Sequence, residues 1–479
     1  MISSGTISRP ITGPTSANYP VVKGEEDGAK PAIVGSTLLA VYLFILASRI
    51  LDLSGLWWLH IPLILWAMLT ITTLVRGNLQ FAFASKATKY FAAFTVWVVL
   101  CFPFSKWRAA SMQSIQWQVQ SFIIFLIIVQ IVRTKRDWQK VVGAFAYATL
   151  VGALMAFHFG YTLEGRLALP GGTLGDPNEF ALLMVVGLPF WWFKASRAQG
   201  LRKIFFLCCT LPIYLAFARS GSRSGLLAMA VLLLLSFLFA RGTQKIVIPI
   251  VALVGVVAST FLLPGYIQTR FMTFFSSGSS ADAATQDRIN SDIASSEERK
   301  ALLIQSIQMT FEYPMFGVGP GCFSFVAWDE RKAATGSGGE SLVSHNTYTQ
   351  VSSETGIPGF LLFSITVFLC IRSVLADYRR LVLADMELAQ YARYLFMSMG
   401  ALAAGIFFLS VGYTHMSATI FAFSVALHNV VENSLKNSGS RAAPKVPAWQ
   451  TATLSNLKQR PFQANQLKPR RQAWPEVSR

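Results

Sequence analysis

Five histidines occur in the 479 residues. One of them, His345, sits in the polar run SHNTYTQVSSETG (344–356). Imidazole titrates near neutrality and suits proton transfer. Read as a short helix, this run puts His345, Tyr348, Thr349 and Ser352 on one face, with Glu354 nearly opposite. A His–Glu dyad within one helix is therefore not expected. Taken alone, His345 is equally served by a structural hydrogen bond at an interface. His60, His158, His415 and His428 read as structural.

Three arginines supply the complementary chemistry. In ARSGSRSGLLAMAVLLLLSF (218–237), Ser222 is a candidate N-cap and Arg223 falls in the first helical turn. Unpaired backbone N–H groups and the positive end of the helix dipole favour an anion there, and a guanidinium fork fits a pair of phosphate oxygens. Arg219, four residues earlier, is placed to share the site. The competing reading is that both arginines snorkel to the interface and meet lipid headgroups. In GRLALPGGTLGDPNEFALLMVVGLPF (165–190), Asp176-Pro177-Asn178 is a turn and helix-start signal. The Gly-rich stretch before it holds Arg166 near the outer surface as another anion ligand; the plainer reading is a connecting loop capped by Asp176. In 296–323, Ala301, Ile304, Ile307 and Phe311 are spaced for an amphipathic helix on a membrane surface. Pro314 ends it, and Gly317, Gly319 and Gly321 permit a tight turn. A lone Gly-x-Gly-x-Gly is weak evidence for phosphate. Arg288 and Arg299 are further candidate anion ligands, with a solvated face the plainer reading of each.

The elements that must position these residues are apolar. Hydrophobic residues make up 53% of the chain and charged residues 13%, with mean hydropathy +0.47. Soluble domains carry about twice that charge. Apolar runs of about 17–21 residues match a ~30 Å hydrocarbon core. The sequence predicts an all-α polytopic membrane protein, not a β-barrel, with about twelve transmembrane helices over 32–50, 56–75, 88–104, 115–132, 138–158, 178–194, 203–218, 223–240, 246–264, 357–376, 394–411 and 414–431. Basic residues concentrate in alternate loops: Arg76, Lys86 and Lys89; Arg133, Lys135, Arg136 and Lys140; Lys194, Arg197, Arg202 and Lys203; Arg241 and Lys245; Arg372, Arg379, Arg380 and Arg393. The positive-inside rule makes these loops cytoplasmic, puts both termini inside, and leaves the long polar interval 265–356 outside. Arg166, Arg219 and Arg223 then lie on the outer side against that bias. An arginine within a span costs about 2.5–3.5 kcal/mol on insertion scales, so something must compensate it.

Three parts follow: a disordered cytoplasmic tail over 1–30, a transmembrane domain over 31–435, and a basic disordered cytoplasmic tail over 436–479. The net charge of +18 is explained by topology and tail, with no nucleic-acid module. Cys101, Cys208, Cys209, Cys322 and Cys370 form no CxxC pair, and neither a disulfide nor a metal cluster is expected.

Four segments together resemble the O-antigen ligase and O-antigen polymerase superfamily of bacterial envelope glycosyltransferases. They are G-x-DPN-x-F-A at 175–181, the Ser222-Arg223 start of a long apolar span, P-x-FG-x-G-x-G-x-F at 314–323, and HN-x-Y with E-x-G-I-x-G at 345–348 and 354–359. The resemblance covers about 160–370 directly. It implies a glycosyltransferase C-type fold in the bacterial inner membrane. It also implies transfer of a glycan from undecaprenyl diphosphate to a hydroxyl of lipid A-core, a growing glycan or a protein, at the periplasmic face and without a cofactor or metal. Carried over residue by residue, Arg166 and Arg223, with Arg219, become diphosphate ligands, and His345 the base or acceptor-orienting group. Glu354 takes no catalytic role. Ligase is the first choice; polymerase or protein O-glycosylation ligase is the same chemistry with another acceptor. A transporter or lipid-linked glycan flippase would show internal repeats and charge deep in its spans, and neither is present in the sequence.

Overall fold

The computed structural model describes residues 33–76, 79–163, 165–262, 265, 267–268, 283–336 and 342–442. The tail expected over 1–30 lies outside them, as does the C-terminal tail beyond Ala442. The chain divides into a unit running to Asn433 and a second from Ser434, of which only the end of the last helix is described.

Helices dominate. Among the described residues, eight are long and apolar enough to cross a membrane: Trp57–Val75, Lys86–Phe104, Arg108–Ile131, Lys135–Phe159, Pro177–Arg197, Gly200–Arg219, Thr347–Leu381 and Met386–Phe408. Three shorter apolar helices, Gly35–Ser48, Arg223–Leu238 and Gln244–Ser259, fall where further spans were expected. His415–Ala442 is the last helix. Within the described residues each expected stretch is largely helical, and eight helices meet the length and hydropathy needed to span, against the twelve expected. Helix starts follow local chemistry. Thr134 and Asp137 form a capping box, and Asp385 accepts from Glu387 N and Leu388 N at 3.0 Å each.

Aromatic rings fill the centre of the bundle. Phe94 meets Phe363 at 5.4 Å, Phe91 meets Phe125 at 5.1 Å, and Phe363 meets Phe421 at 6.3 Å between centroids. The helix Gln244–Leu262, by contrast, leaves Val251 and Leu253 more than 60% exposed. An apolar helix so uncovered suits a lipid environment rather than water.

The polar interval builds its own small core. Leu302, Met309, Val318, Cys322, Phe323 and Ala327 are buried together, with Tyr313, Val326 and Leu342 packed against them. Helices Ala283–Glu312 and Phe323–Thr335 frame it. The first helix stops two residues before Pro314, as the proline requires. Its protein-facing side is Leu302, Ser306, Met309 and Thr310, whereas Ile304, Ile307 and Phe311 stay exposed on the face read as membrane-seeking.

The glycines of 317–321 do not form the anion cradle that Gly-x-Gly-x-Gly suggests. They form a clasp around a kink. Within the helix Thr347–Leu381, Gly356 has φ 71° and ψ −177°, a conformation essentially restricted to glycine. Val318 N donates to Ser353 O at 2.8 Å, Gly319 N to Glu354 O at 3.1 Å, and Ile357 N to Pro314 O at 2.8 Å. These bonds satisfy the backbone groups that the kink releases. A Cβ on Gly317 would overlap the backbone of Ser353 and Glu354, and one on Gly356 would overlap the carbonyl of Met315. Close backbone approach is why glycine is needed here.

Candidate functional site

The site begins with a hairpin. Tyr161–Leu163 and Arg166–Ala168 pair antiparallel, with Leu163 opposite Arg166. The first strand is exposed and the second buried. Arg166 is thereby buried, 6% exposed, and is held by a strand rather than by the Gly-rich stretch that follows it. Its Nε donates to Ser220 O at 3.0 Å and its Nη2 to Asn178 Oδ1 at 2.7 Å. Hydrogen bonds made by a charged donor contribute about 1.5–3 kcal/mol each. Arg166 lies on a strand between the spans Lys135–Phe159 and Pro177–Arg197, so what these bonds offset is the cost of burying its charge. The compensation anticipated for this charge is therefore a pair of protein acceptors.

Asn178 is the joint of the arrangement. Its Oδ1 also accepts from Ser222 Oγ at 2.9 Å. Ser222 Oγ in turn accepts from Gly225 N at 3.0 Å, which makes it the N-cap of helix Arg223–Leu238 as its sequence position indicated. The turn from Arg219 to Arg223 passes through Gly221 at φ 57°. Both arginines are half-buried, yet the helix field treats them differently. Arg219 ends helix Thr210–Arg219, where the negative pole welcomes a cation. Arg223 opens its helix, where the positive pole disfavours one by about 0.3–1 kcal/mol. A bound anion would offset that penalty at Arg223 and has no such penalty to offset at Arg219.

Asp176, beside Asn178, acts on His345 through its charge alone. Asp176 caps helix Pro177–Arg197 by accepting from Asn178 N at 2.5 Å. His345 precedes helix Thr347–Leu381, so the face shared with Tyr348, Thr349 and Ser352 does not include it. Asn346 is the N-cap, accepting from Tyr348 N at 2.9 Å and Thr349 N at 3.2 Å. Tyr348 packs inward against Phe363 and Phe407. His345 has φ 49°, one of three positive values at non-glycine residues among those described. Such a conformation persists only where neighbours over-determine it. Here they do: Ser344 Oγ meets Ser410 Oγ at 3.1 Å, Thr347 Oγ1 donates to Leu409 O at 2.5 Å, and Thr347 Oγ1 accepts from Val411 N at 3.0 Å. The glycine clasp holds the other end.

Burial first, and then the positive charge of Arg299, lower the His345 pKa to about 4, with Asp176 opposing both. The ring is therefore neutral at physiological pH and able to accept a proton. Arg299, read from sequence as part of a solvated face, is half-buried and acts electrostatically on His345. The side chain of Arg288 lies outside the described residues. Glu354 is buried and accepts from Gly321 N at 2.9 Å; it closes the clasp and does not face His345's chemistry. The other histidines have local partners. His60 contacts Trp58 O at 2.7 Å, His415 contacts Ser121 Oγ at 2.8 Å, His428 contacts Asp377 at 3.0 Å, and His158 packs on Phe159.

The structure thus ties Arg166 to the Arg219–Arg223 turn through Asn178, and His345 feels the charge of Asp176 in the same capping turn. Sequence reading marked 176–178 as a helix start and missed Asn178 as the shared acceptor. The Asp-Pro-Asn triplet was the available signal, but nothing local says what Asn178 bonds.

Residues 204–364 match the family model described as O-antigen ligase. The matched stretch contains Arg219, Arg223, the glycine clasp and His345. No curated protein matches the chain.

Proposed function

We propose, from the match of residues 204–364 to the O-antigen ligase family model and the apolar spanning helices, that this multi-pass membrane protein is a ligase- or polymerase-type glycosyltransferase that moves a glycan from a polyprenyl diphosphate, undecaprenyl diphosphate in bacteria, to an acceptor hydroxyl on lipid A-core. The reaction takes place at the periplasmic face of the inner membrane, in a glycosyltransferase C-type fold. The acceptor oxygen attacks the anomeric carbon as the bond from that carbon to the diphosphate oxygen breaks. The acceptor's proton passes to the His345 imidazole, and the lipid diphosphate leaves with the bonding pair. Diphosphate needs no general acid to depart. It needs positive charge, which Arg223 and Arg219 supply directly, with Arg166 holding their turn and lending its own charge. These arginines fill the role a divalent cation would otherwise take, and the reaction is proposed to be metal-independent. A diphosphate bound beside His345 would raise its pKa toward neutrality, improving it as a base at the moment it is needed.

The observation that supports this reading is the hydrogen-bonded joint at Asn178, which ties the buried Arg166 to the turn bearing Arg219 and Arg223. The test is in vitro transfer from a radiolabelled polyprenyl diphosphate-glycan, with lipid A-core or without acceptor, with and without EDTA, and beside His345→Ala. Label reaching lipid A-core, insensitive to EDTA and lost in the variant, is the expected result. Longer glycans without lipid A-core would replace ligase by polymerase. Label crossing a liposome bilayer with no covalent transfer would overturn the enzyme reading.

A further inference from the structure

A cavity lies away from the candidate active site, where basic loops mark the expected cytoplasmic side. It measures about 510 Å3 and is lined from helices Lys135–Phe159, Pro177–Arg197, Gly200–Cys208 and Met386–Gly405. None of the arginines or the histidine of the candidate active site lines it. Three cations, Lys194, Arg197 and Arg202, face it against a single carboxylate, Glu387.

That carboxylate is already committed. Lys135 reaches it at 2.6 Å and Arg197 at 3.3 Å, and Tyr391 Oη donates to it at 3.0 Å. Among the described residues, neither Lys194 nor Arg202 has an acidic partner. The Lys194 ammonium is held instead against aromatic faces, 4.6 Å from the Tyr147 centroid and 5.8 Å from that of Phe206. Cation–π contacts fix a cation without neutralising it. Gly143 also lines the cavity beside the ammonium. The rest of the lining includes Phe190, Phe193 and Phe206. The neighbouring helix Gly200–Cys208 turns Leu201, Ile204 and Phe205 outward, each more than half exposed, which is a lipid-facing pattern. Cationic groups at the mouth, aromatic walls and an apolar flank match an amphiphile that carries a negative head and hydrocarbon tails.

We propose that this cavity binds an anionic phospholipid, its phosphodiester between Lys194 and Arg202 and its acyl chains along Phe206 and the outward face of Gly200–Cys208. Basic pockets between spans on the cytoplasmic side recognise such headgroups. The lipid completes the charge balance of the pocket and joins helix Gly200–Cys208 to the bundle. The site is independent of the glycan-transfer reading, so the two stand or fall separately.

The test is lipid titration of the purified full chain, with bound lipid counted by native mass spectrometry and Tm followed in parallel. Phosphatidylglycerol and cardiolipin are expected to bind at least tenfold more tightly than phosphatidylcholine and to raise Tm. The Lys194→Gln/Arg202→Gln variant should lose this preference. Arg202 is exposed, so Arg202→Gln alone keeps the fold and should weaken anionic-lipid binding several-fold, with Arg202→Lys recovering most of it. Equal binding of phosphatidylcholine, or an unchanged preference in Arg202→Gln, overturns the proposal. Inorganic phosphate raising Tm as much as phosphatidylglycerol would also overturn it, because the ligand would then be a soluble anion.

Discussion

Replacing Asn178 by alanine removes the acceptor that two partners share. Nη2 of Arg166 loses a 2.7 Å bond and Ser222 Oγ loses a 2.9 Å bond. The first is charge-assisted, about 1.5–3 kcal/mol, and the second neutral, about 0.5–1.5 kcal/mol. Arg166 is 6% exposed, so water does not readily replace the lost acceptor. The sum is a loss of about 2–4 kcal/mol in the network that fixes the 219–223 turn. If that turn places the charge that meets the leaving diphosphate, kcat falls by about 30–1,000-fold, since each 1.36 kcal/mol is tenfold in rate. Asn178→Asp separates placement from charge. It keeps an oxygen for Arg166 and Ser222, so Tm should stay near that of the unsubstituted protein, while its negative charge raises KM for the diphosphate-linked donor. The assay is glycan transfer from purified donor, with Tm measured on the same preparations. Transfer in Asn178→Ala within threefold of the unsubstituted protein, at unchanged Tm, would refute the reasoning, because the turn would then be held without its joint. A double-substitution cycle with Ser222→Ala should give coupling of about 0.5–3 kcal/mol.

Gly356→Ala combines a glycine-only backbone conformation with a Cβ against the Met315 carbonyl; a loss above about 3 kcal/mol is expected, read as a sharp fall in Tm, whereas Gly265→Ala, with open space around it, should be neutral. For His345, kcat/KM reports the free enzyme, whose ring is neutral above pH about 4; the acid limb should therefore fall near pH 4–5 rather than near 6.5, and a limb at 6.5 would contradict the burial and Arg299 field described above. The same depressed pKa means that the unfolded chain takes up a proton as pH falls from 6.5 toward 4 while the folded chain does not, so stability decreases across that window, and less so in His345→Gln. Arg223→Ala should weaken donor binding more than Arg219→Ala, by isothermal titration with the lipid diphosphate; equal losses would remove the distinction drawn from the helix poles.

Much of the architecture is written locally. The positions of the apolar helices follow from runs of residues that water rejects, and the cap at Ser222 and the helix start at Asp176-Pro177 follow from side chains that satisfy N–H groups two or three residues away. His345 and the three arginines could be picked out because charge and imidazole are rare in such a chain. The tertiary structure decided what those residues touch. Arg166 is buried by a short hairpin whose strands are three residues each, too short for an alternating pattern to announce. Its partners, Asn178 and Ser220, are 12 and 54 positions away in sequence. The Gly-x-Gly-x-Gly run looked like a phosphate loop because glycine's lack of a side chain serves an anion and a neighbouring backbone equally well; only the position of Gly356 tells which. His345 was assigned to a helix face because its neighbours have helical spacing, but Asn346 caps the helix one residue later and leaves His345 outside it. Local chemistry fixes where elements begin and end, whereas hydrogen bonds and fields between distant segments depend on how those elements pack, which no short window of sequence contains.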